Sequence, residues 1–381
     1  MKCSLTVFTP TYNRGYILNS LYESLQRQTC KDFEWIIVDD ASTDNTEELV
    51  REWENLCDKF PIRYYKMTHG GKHRAINRAV QLSMAPAFFI VDSDDYLTDD
   101  AVVKAVKWFE AINKDDSFAG VSGMKGYSVT KTIGGTGGLA IGEYIDATNL
   151  EREKLHLHGD KAEIYKTTIL KQYPFKEFSG ENFITEATIW NKIALNGYKM
   201  RWYNEIIYIA NYLEDGLTAK GNNLFYKNPR GWLHWLWIKS QYASEEDVRL
   251  DYIFWYAFNC NSTIVYEMPE KYKYMAIKVI DNVVLKLNSY IKNNKVYKYA
   301  IFGLGKYGEF FLKIKDRISA SLLVGIDTNK KLCNEIDIYK PEDIPKLDID
   351  FVLITMKKKD KSIDLMLDKI NVKKIWLVDL L

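Results

Sequence analysis

Strand-like and helix-like segments alternate along the first third of the chain, and this alternation limits the possible folds more than any other feature of the sequence. Short apolar or β-branched runs at 4–9, 34–38, 62–67 and 88–91 predict four strands. Helical spacing follows each of them, and after the fourth we expect Thr98 to cap a helix with two acidic residues in its first turn. Repeated β-α units predict a largely parallel sheet with helices on both faces.

The pattern changes twice further along the chain. From about residue 216 to 295 the spacing is helical, with many tryptophans and tyrosines and no clear strand, and a new strand-turn-helix pattern begins at Tyr297. We therefore predict an α/β domain over 1–215, a helical segment over 216–295 and a smaller Rossmann-like α/β domain over 296–381.

Composition excludes several classes of protein. The 52 Lys+Arg and 51 Asp+Glu leave a net charge of +1, which argues against nucleic-acid binding. The five cysteines form no C-x-x-C pair, which fits a reducing compartment better than a disulfide framework or a zinc site. The N-terminus resembles a first strand more than a signal peptide, and the apolar run at 232–238 is far shorter than a membrane-spanning helix. We expect a cytoplasmic protein, and nothing in the sequence indicates its oligomeric state.

Polar residues follow all four predicted strands at their carboxyl ends, where open α/β sheets bind ligands. The run Asp92-Ser93-Asp94 follows the fourth strand, and its two carboxylates could hold Mn²⁺ or Mg²⁺ together with phosphate oxygens. Such a turn could equally cap the next helix. Gly70-Gly71-Lys72 precedes a predicted helix, and a lysine at a helix N-terminus favours a phosphate group, although a plain glycine turn gives the same pattern.

Two further residues at the strand ends could bind a nucleoside. Asp39 could accept a hydrogen bond from the imide of a uracil ring, or it could form an Asx turn that starts the next helix. Tyr12 could stack on the base or close the first loop. Each residue alone is a weak signal, but parallel strands would bring all of them to one edge of the sheet.

Taken together, these motifs resemble the family 2 glycosyltransferases, which have the GT-A fold. The resemblance lies within residues 1–215 and rests on TPTYNR, SLQRQTCKDFEWIIVDDASTDNT, GGKHRAINRAV and VDSDDYL, in that order. It implies a metal-dependent, inverting glycosyltransferase of the hexosyltransferase type that uses a nucleotide-diphosphate sugar, most often linked to UDP. It also implies an acceptor that is a saccharide or a lipid-linked saccharide, in the synthesis of a bacterial surface polysaccharide.

The same resemblance assigns roles to individual residues. Those expected to bind the nucleotide sugar are Thr9, Pro10, Tyr12, Asp39, Lys72, Asp92 and Ser93. Asp94 and Asp92 are expected to bind Mn²⁺ or Mg²⁺, and His158 is a further candidate ligand, although a histidine in a loop is more often structural.

Inverting transfer also requires a base that takes the proton of the acceptor hydroxyl. The acidic pair that commonly supplies it in this family is absent as such from FSGENFITEATIWNKIALNGYK. Counting back from Gly197 favours Glu186 as the base and leaves Glu181 as the other candidate; either could instead be an acid near a helix N-terminus.

The remaining two segments give weaker signals. The aromatic helical segment could lie on a membrane surface, but its mixed charges favour packing against the first domain. The last domain contains Gly303, Gly305 and Gly308 between a strand and a helix, with Asp327 after the next strand, which is the pattern of a second nucleotide site. An alternative function therefore has this domain sense a nucleotide or nucleotide sugar, with no turnover in the intact chain.

Overall fold

A computed structural model describes residues 3–211, 213, 216, 221–328, 336–356, 359–370 and 372–380. The chain divides into two compact units, Met1–Ala243 and Ser244–Leu381. The boundaries at 216 and 296 stay predictions, since the helices of the middle segment are shared between the two units.

The first unit contains ten strands and eight helices in its described residues. The strands are β1 Leu5–Thr11, β2 Phe33–Asp39, β3 Ile62–Lys66, β4 Ala87–Ile90, β5 Tyr96–Leu97, β6 Phe118–Ser128, β7 Lys131–Thr132, β8 Tyr144–Ala147, β9 Lys161–Lys166 and β10 Lys199–Ile209. The helices are α1 Leu18–Arg27, α2 Thr46–Leu56, α3 Lys72–Leu82, α4 Ala101–Glu110, α5 Thr167–Gln172, α6 Ala187–Leu195, α7 Asn223–Lys227 and α8 Pro229–Lys239, with a short 3-10 helix at Asn149–Glu151.

One mixed sheet organises this unit, in the order β3-β2-β1-β4-β9-β6-β10-β5. The four predicted strands β1 to β4 are parallel neighbours, as their β-α pattern indicates. Beyond them, where the sequence pattern gave no such prediction, the sheet is mixed, because β9 enters antiparallel between β4 and β6. That pairing joins strands that are distant in sequence, so local sequence patterns do not predict it.

Side chains from alternate positions of the strands build one core on each face of the sheet. In β1, Leu5 and Val7 pack in the cluster that contains residues of α1, α2 and α4, whereas Phe8 packs in the cluster with α3, α5 and α6. This alternation follows from the two-residue period of a strand. It confirms the expected helices on both faces, which hold the strand ends rigidly at one edge.

The start of α4 differs from the prediction. Asp100, and not Thr98, is the residue that precedes the helix. The Thr98 hydroxyl donates to the Asp100 carboxylate at 2.8 Å, so it does not cap the first turn. Thr98 follows β5, a two-residue strand that the sequence did not reveal, and this strand shifts the helix start to Ala101.

The aromatic segment is helical, as predicted. Trp232 and Leu236 of α8 are buried in the first unit, whereas Trp237 is about half exposed. No helix in the part of the chain that the structure describes is long and apolar enough to cross a membrane.

The second unit combines helices with a parallel five-stranded sheet. Its helices are α9 Glu245–Asn259, α10 Glu270–Asn294, α11 Lys306–Ile314 and α12 Lys361–Lys369, with 3-10 turns at Thr263–Glu267, Lys315–Arg317, Pro341–Lys346 and Leu377–Asp379. Its strands are β11 Lys298–Phe302, β12 Ser321–Ile326, β13 Asp337–Tyr339, β14 Phe351–Ile354 and β15 Lys373–Trp376, in the order β13-β12-β11-β14-β15. All four strand pairs are parallel, and the Rossmann-like assignment of residues 296–381 stays a prediction.

Candidate functional site

A cleft of about 760 Å³ lies beyond the carboxyl ends of β1, β2 and β4. This is the edge at which the sequence predicted a site. The predicted residues on its wall are Pro10, Tyr12, Lys72, Asp92, Ser93, Asp94 and Glu186. The remaining predicted residues of the first unit, Thr9, Asp39, His158 and Glu181, do not line it.

Lys72 forms ion pairs with two carboxylates of the cleft wall. It is the first residue of α3, and its Nζ lies 2.6 Å from Asp92 Oδ1 and 2.7 Å from Glu186 Oε1. Burial alone would lower the pKa of Lys72, but the two carboxylates raise it well above its usual value. The lysine is therefore charged at every physiological pH.

The turn before Lys72 depends on glycine. Gly71 has a φ of 92°, and an added Cβ would lie 1.7 Å from the backbone oxygen of Asn182. Asp40 holds this turn, because its carboxylate accepts from the N–H groups of Gly70 at 2.7 Å and Gly71 at 2.8 Å.

The acidic run after β4 contains three carboxylates in different environments. Burial alone would raise the pKa of Asp92, but the positive charges of Lys72 and Lys125 have the larger effect. The pKa of Asp92 is therefore below its usual value, and the carboxylate is held ionised. Asp95 lies behind it and accepts from the Tyr208 hydroxyl at 2.5 Å and the Asn211 N–H at 2.7 Å. Burial and the charge of Asp92 raise the pKa of Asp95 to about 7. We infer that Asp95 shapes the turn.

Asp94 is the carboxylate of this run best suited to a divalent cation. Burial, followed by the negative charge of Asp92, raises its pKa, and a cation would relieve both effects. Mg²⁺ and Mn²⁺ are commonly held by one or two carboxylates together with substrate phosphates. Asp94, with Asp92 beside it, fits that chemistry. His158 is exposed and off the cleft wall, and the described residues contain no group of three possible protein ligands.

Two predicted nucleoside contacts lie behind the cleft wall. The Thr9 hydroxyl accepts from Trp35 Nε1 at 2.9 Å, and Asp39 accepts from the Tyr64 hydroxyl at 2.5 Å and the Ser42 N–H at 2.7 Å. Both residues are fully buried. Their nucleoside roles stay predictions.

The open end of the cleft is aromatic. Tyr12 is 46% exposed, and its ring centroid lies 4.7 Å from that of His69. Such a pair offers a face on which a planar base can stack. The sequence indicated Tyr12 but gave no sign of its partner.

The two candidate bases differ sharply in their surroundings. Glu186 immediately precedes α6, and its side chain is one-third exposed on the cleft wall. Glu181 is buried, and its two carboxylate oxygens each accept at 2.8 Å from a backbone N–H, those of Arg230 and Gly231. Glu181 therefore binds the N-terminus of α8, and only Glu186 can meet a ligand.

Two lysines line the cleft besides Lys72: Lys125, which was not predicted as a site residue, and Lys161, which the sequence suggested for the same wall. Lys125 lies 4.0 Å from Asp92 and 4.1 Å from the centre of the Tyr208 ring. Lys161 donates to the His158 carbonyl at 2.7 Å, and burial, followed by the charge of Arg152, lowers its pKa to about 8. A lone lysine in the apolar strand FAGVSGMKGYS is the signal that could have identified Lys125.

Comparison with family models finds a match in the cleft-bearing region. Residues 6–173 match the model of Glycosyl transferase family 2. The match includes β1, β2, β4 and β9, which border the cleft. The mixed α/β sheet is consistent with the GT-A fold expected for that family.

Two of the curated relatives come from Staphylococcus aureus. Poly(ribitol-phosphate) beta-N-acetylglucosaminyltransferase TarS of Staphylococcus aureus strain MW2 is 26% identical over 168 residues, which are 44% of this chain and 28% of that protein. TarP of strain N315, with the same enzyme name, is 33% identical over 148 residues, 37% of this chain and 44% of that protein. The chain thus spans less than half the length of either relative.

A solved structure, S. aureus TarS 1-349 in complex with UDP-GlcNAc, is similar over 77% of this chain and 88% of that chain. The sequence identity is 18% and the TM-score is 0.49.

The glycine-rich motif lies in the second unit, apart from the region that matches family 2. Gly303 has a φ of 93°, and a Cβ at Gly308 would lie 2.3 Å from the Gly303 oxygen. Asp327 accepts from the Leu304 N–H at 3.0 Å, so it supports the turn. Close packing of the turn on the helix explains Gly303 and Gly308, while Gly305 has open space around it. A second nucleotide site stays a prediction.

Proposed function

We propose that the protein transfers a hexosyl group from a UDP-sugar to a hydroxyl group of a bacterial surface polysaccharide, with inversion at the anomeric carbon. The observation that carries this proposal is the placement of Lys72 between Asp92 and Glu186 in the cleft of a unit that matches family 2. One ammonium group thereby lies beside both a carboxylate suited to the diphosphate end and a carboxylate suited to proton transfer.

The donor would occupy the cleft from its aromatic end inward. Tyr12 would stack on the uracil base, with Pro10 beside it. Lys72 and Lys125 would bind the diphosphate, because both lie at Asp92 and both carry positive charge. Asp94 with Asp92 would hold Mn²⁺ or Mg²⁺, which would supply further positive charge to the leaving diphosphate.

Glu186 would act as the base. It takes the proton of the acceptor hydroxyl while that oxygen forms its bond to the anomeric carbon. The bond from that carbon to the diphosphate oxygen breaks, and its electron pair leaves on the diphosphate. The single displacement inverts the configuration, which agrees with the beta linkage in the names of both relatives.

The acceptor class is supported by the relatives alone. TarS and TarP are named for poly(ribitol-phosphate), a polymer with free hydroxyl groups. A hydroxyl-bearing surface polymer, free or lipid-linked, is the corresponding acceptor for this chain, with peripheral association at the membrane in the lipid-linked case.

The first experiment is calorimetric titration of UDP into the full chain with and without Mn²⁺, followed by UDP release from a panel of UDP-sugars. We expect Mn²⁺-dependent UDP binding, which Asp94→Ala removes and the exposed control Asp99→Ala retains. Glu186→Gln should keep UDP binding and lower turnover by about 10²–10⁴-fold. UDP binding that is the same with and without Mn²⁺ would contradict the metal assignment. Absence of UDP binding would contradict the choice of donor.

A further inference from the structure

The cleft wall carries a partly buried carboxylate, that of Glu163, which the proposed reaction does not use. Glu163 lies on β9, lines the cleft and has a side chain that is 18% exposed. Within the described residues its carboxylate accepts no side-chain or backbone hydrogen bond from another residue, and its nearest ion-pair partner is Arg152 Nη1 at 3.8 Å. A carboxylate that faces a cleft without such a partner is placed to accept hydrogen bonds from a ligand.

Arg152 supplies charge to Glu163 but not a hydrogen bond. Its Nε donates to the Leu157 carbonyl and its Nη1 to Asn149 Oδ1, both at 3.2 Å, and its Nη2 donates to the Gly159 carbonyl. The guanidinium is therefore committed to the loop before β9. Burial raises the pKa of Glu163, and the charges of Arg152 and Lys125 offset only part of that effect.

Glu163 lines the same cleft as Lys125 and Glu186. Besides Arg152, the charged groups that act on it are Lys125 and Glu186. Lys125 also lies 4.0 Å from Asp92. A donor sugar is bonded directly to the diphosphate, so a diphosphate held by Lys72 and Lys125 puts the sugar ring next to this group of side chains.

We propose that Glu163 binds hydroxyl groups of the donor sugar and thereby contributes to donor choice. Sugar hydroxyls are donors that can satisfy both carboxylate oxygens, and an ionised acceptor makes the stronger hydrogen bonds. Because β9 lies inside the sheet, the carboxylate is held rigidly and would favour sugars whose hydroxyls match its position. This inference rests on the proposed function and assigns Glu163 to binding, with proton transfer left to Glu186.

The test compares affinity for UDP with affinity for a UDP-sugar. The probe is the member of a panel (UDP-GlcNAc, UDP-GalNAc, UDP-glucose, UDP-galactose and UDP-glucuronate) that the wild-type chain hydrolyses fastest. Calorimetric titrations cover wild type, Glu163→Ala, Glu163→Gln and the control Glu205→Gln. Glu205 has a similar side-chain exposure of 21% and pairs with Lys104 away from the cleft wall.

In Glu163→Ala we expect UDP affinity to be unchanged and UDP-sugar affinity to fall about 10–100-fold. In Glu163→Gln the UDP-sugar affinity should fall less, because the amide oxygen can still accept a hydrogen bond from a sugar hydroxyl. The isosteric side chain also preserves the fold. The proposal would be overturned if Glu163→Ala left the ratio of UDP-sugar affinity to UDP affinity unchanged. Both affinities would stay the same if Glu163 contacted only the acceptor, and both would fall together if the substitution damaged the whole site. A wild-type chain that binds no UDP would instead refute the proposed function before any variant is compared.

Discussion

Replacing Glu181 or Glu186 by glutamine should give opposite results. The Glu181 carboxylate receives two backbone N–H groups at the start of α8, from Arg230 and Gly231, each at 2.8 Å. Glutamine there puts an NH₂ group opposite one of those N–H donors and removes the charge from the helix N-terminus. The chain should lose stability without losing a group that takes part in the reaction.

The size of this loss follows from the contacts. A hydrogen bond to a charged group contributes about 1.5–3 kcal/mol, and an anion at a helix N-terminus contributes about 1 kcal/mol when partly buried. Glu181→Gln should therefore lower the free energy of unfolding by about 3 kcal/mol. For a unit of this size that corresponds to a fall of about 6–12 °C in Tm.

Glu186→Gln should behave in the reverse way. Glu186 is one-third exposed, and its partner Lys72 retains Asp92 when the ion pair is lost. We expect a stability change below about 1 kcal/mol and loss of turnover. Circular-dichroism melts and UDP release from the best UDP-sugar, measured well below both Tm values, separate the two effects. A Glu181→Gln protein that melts like wild type, or that is folded but as inactive as Glu186→Gln, would refute this assignment of roles.

Three further predictions concern buried or crowded positions. Burial lowers the pKa of His234 to about 4 from an unfolded value of 6.5, so the folded state binds fewer protons between these values and stability falls as pH drops through them. In urea unfolding, the free energy of unfolding of the wild type should fall between pH 7 and pH 5 by about 2 kcal/mol more than that of His234→Phe. Gly71→Ala places a Cβ 1.7 Å from the Asn182 oxygen and should cost about 3 kcal/mol or more in unfolding free energy, with weaker UDP binding in titrations. In the second unit, thermal melts should show Gly308→Ala destabilised by about 2 kcal/mol and Gly305→Ala nearly unchanged, because only the former Cβ meets a backbone oxygen.

The part of the fold that the sequence predicted is the part built from local units. β2 illustrates why, since all seven of its residues are buried and its run EWIIV is flanked by polar turns. The helix expected after the Gly70-Gly71 turn begins at Lys72, where the glycine conformation ends. Periodicity within about ten residues contains the information needed for such elements.

The rest of the sheet depends on pairings that periodicity does not encode. β9 lies between β4 and β6 although more than thirty residues separate it from β6 in the chain. Its position brings Glu163 into the cleft, and no motif marks this residue. The sequence could therefore predict one wall of the cleft but not the wall opposite.

Asp39 and Asp40 show the same limit on a smaller scale. Both follow the same apolar run, and the sequence alone does not decide which carboxylate turns inward. In the structure Asp39 is paired with Tyr64 in the core, and Asp40 lines the cleft and holds the turn before Lys72. The choice depends on where Tyr64 lies on the neighbouring strand β3, which is a tertiary fact.

The contacts of Lys72 explain why a lysine suits this position. An ammonium group has three donors, and two of them point to Asp92 and Glu186. In the proposed reaction the third would bind a phosphate oxygen of the donor, so a single charge would bind the leaving group and hold the base beside it. Because Lys72 already balances Asp92, with Lys125 nearby, the carboxylate that would mainly bind a cation is Asp94. A planar arginine at position 72 could not direct its donors to three separate anions in this way, since its N–H groups lie in one plane.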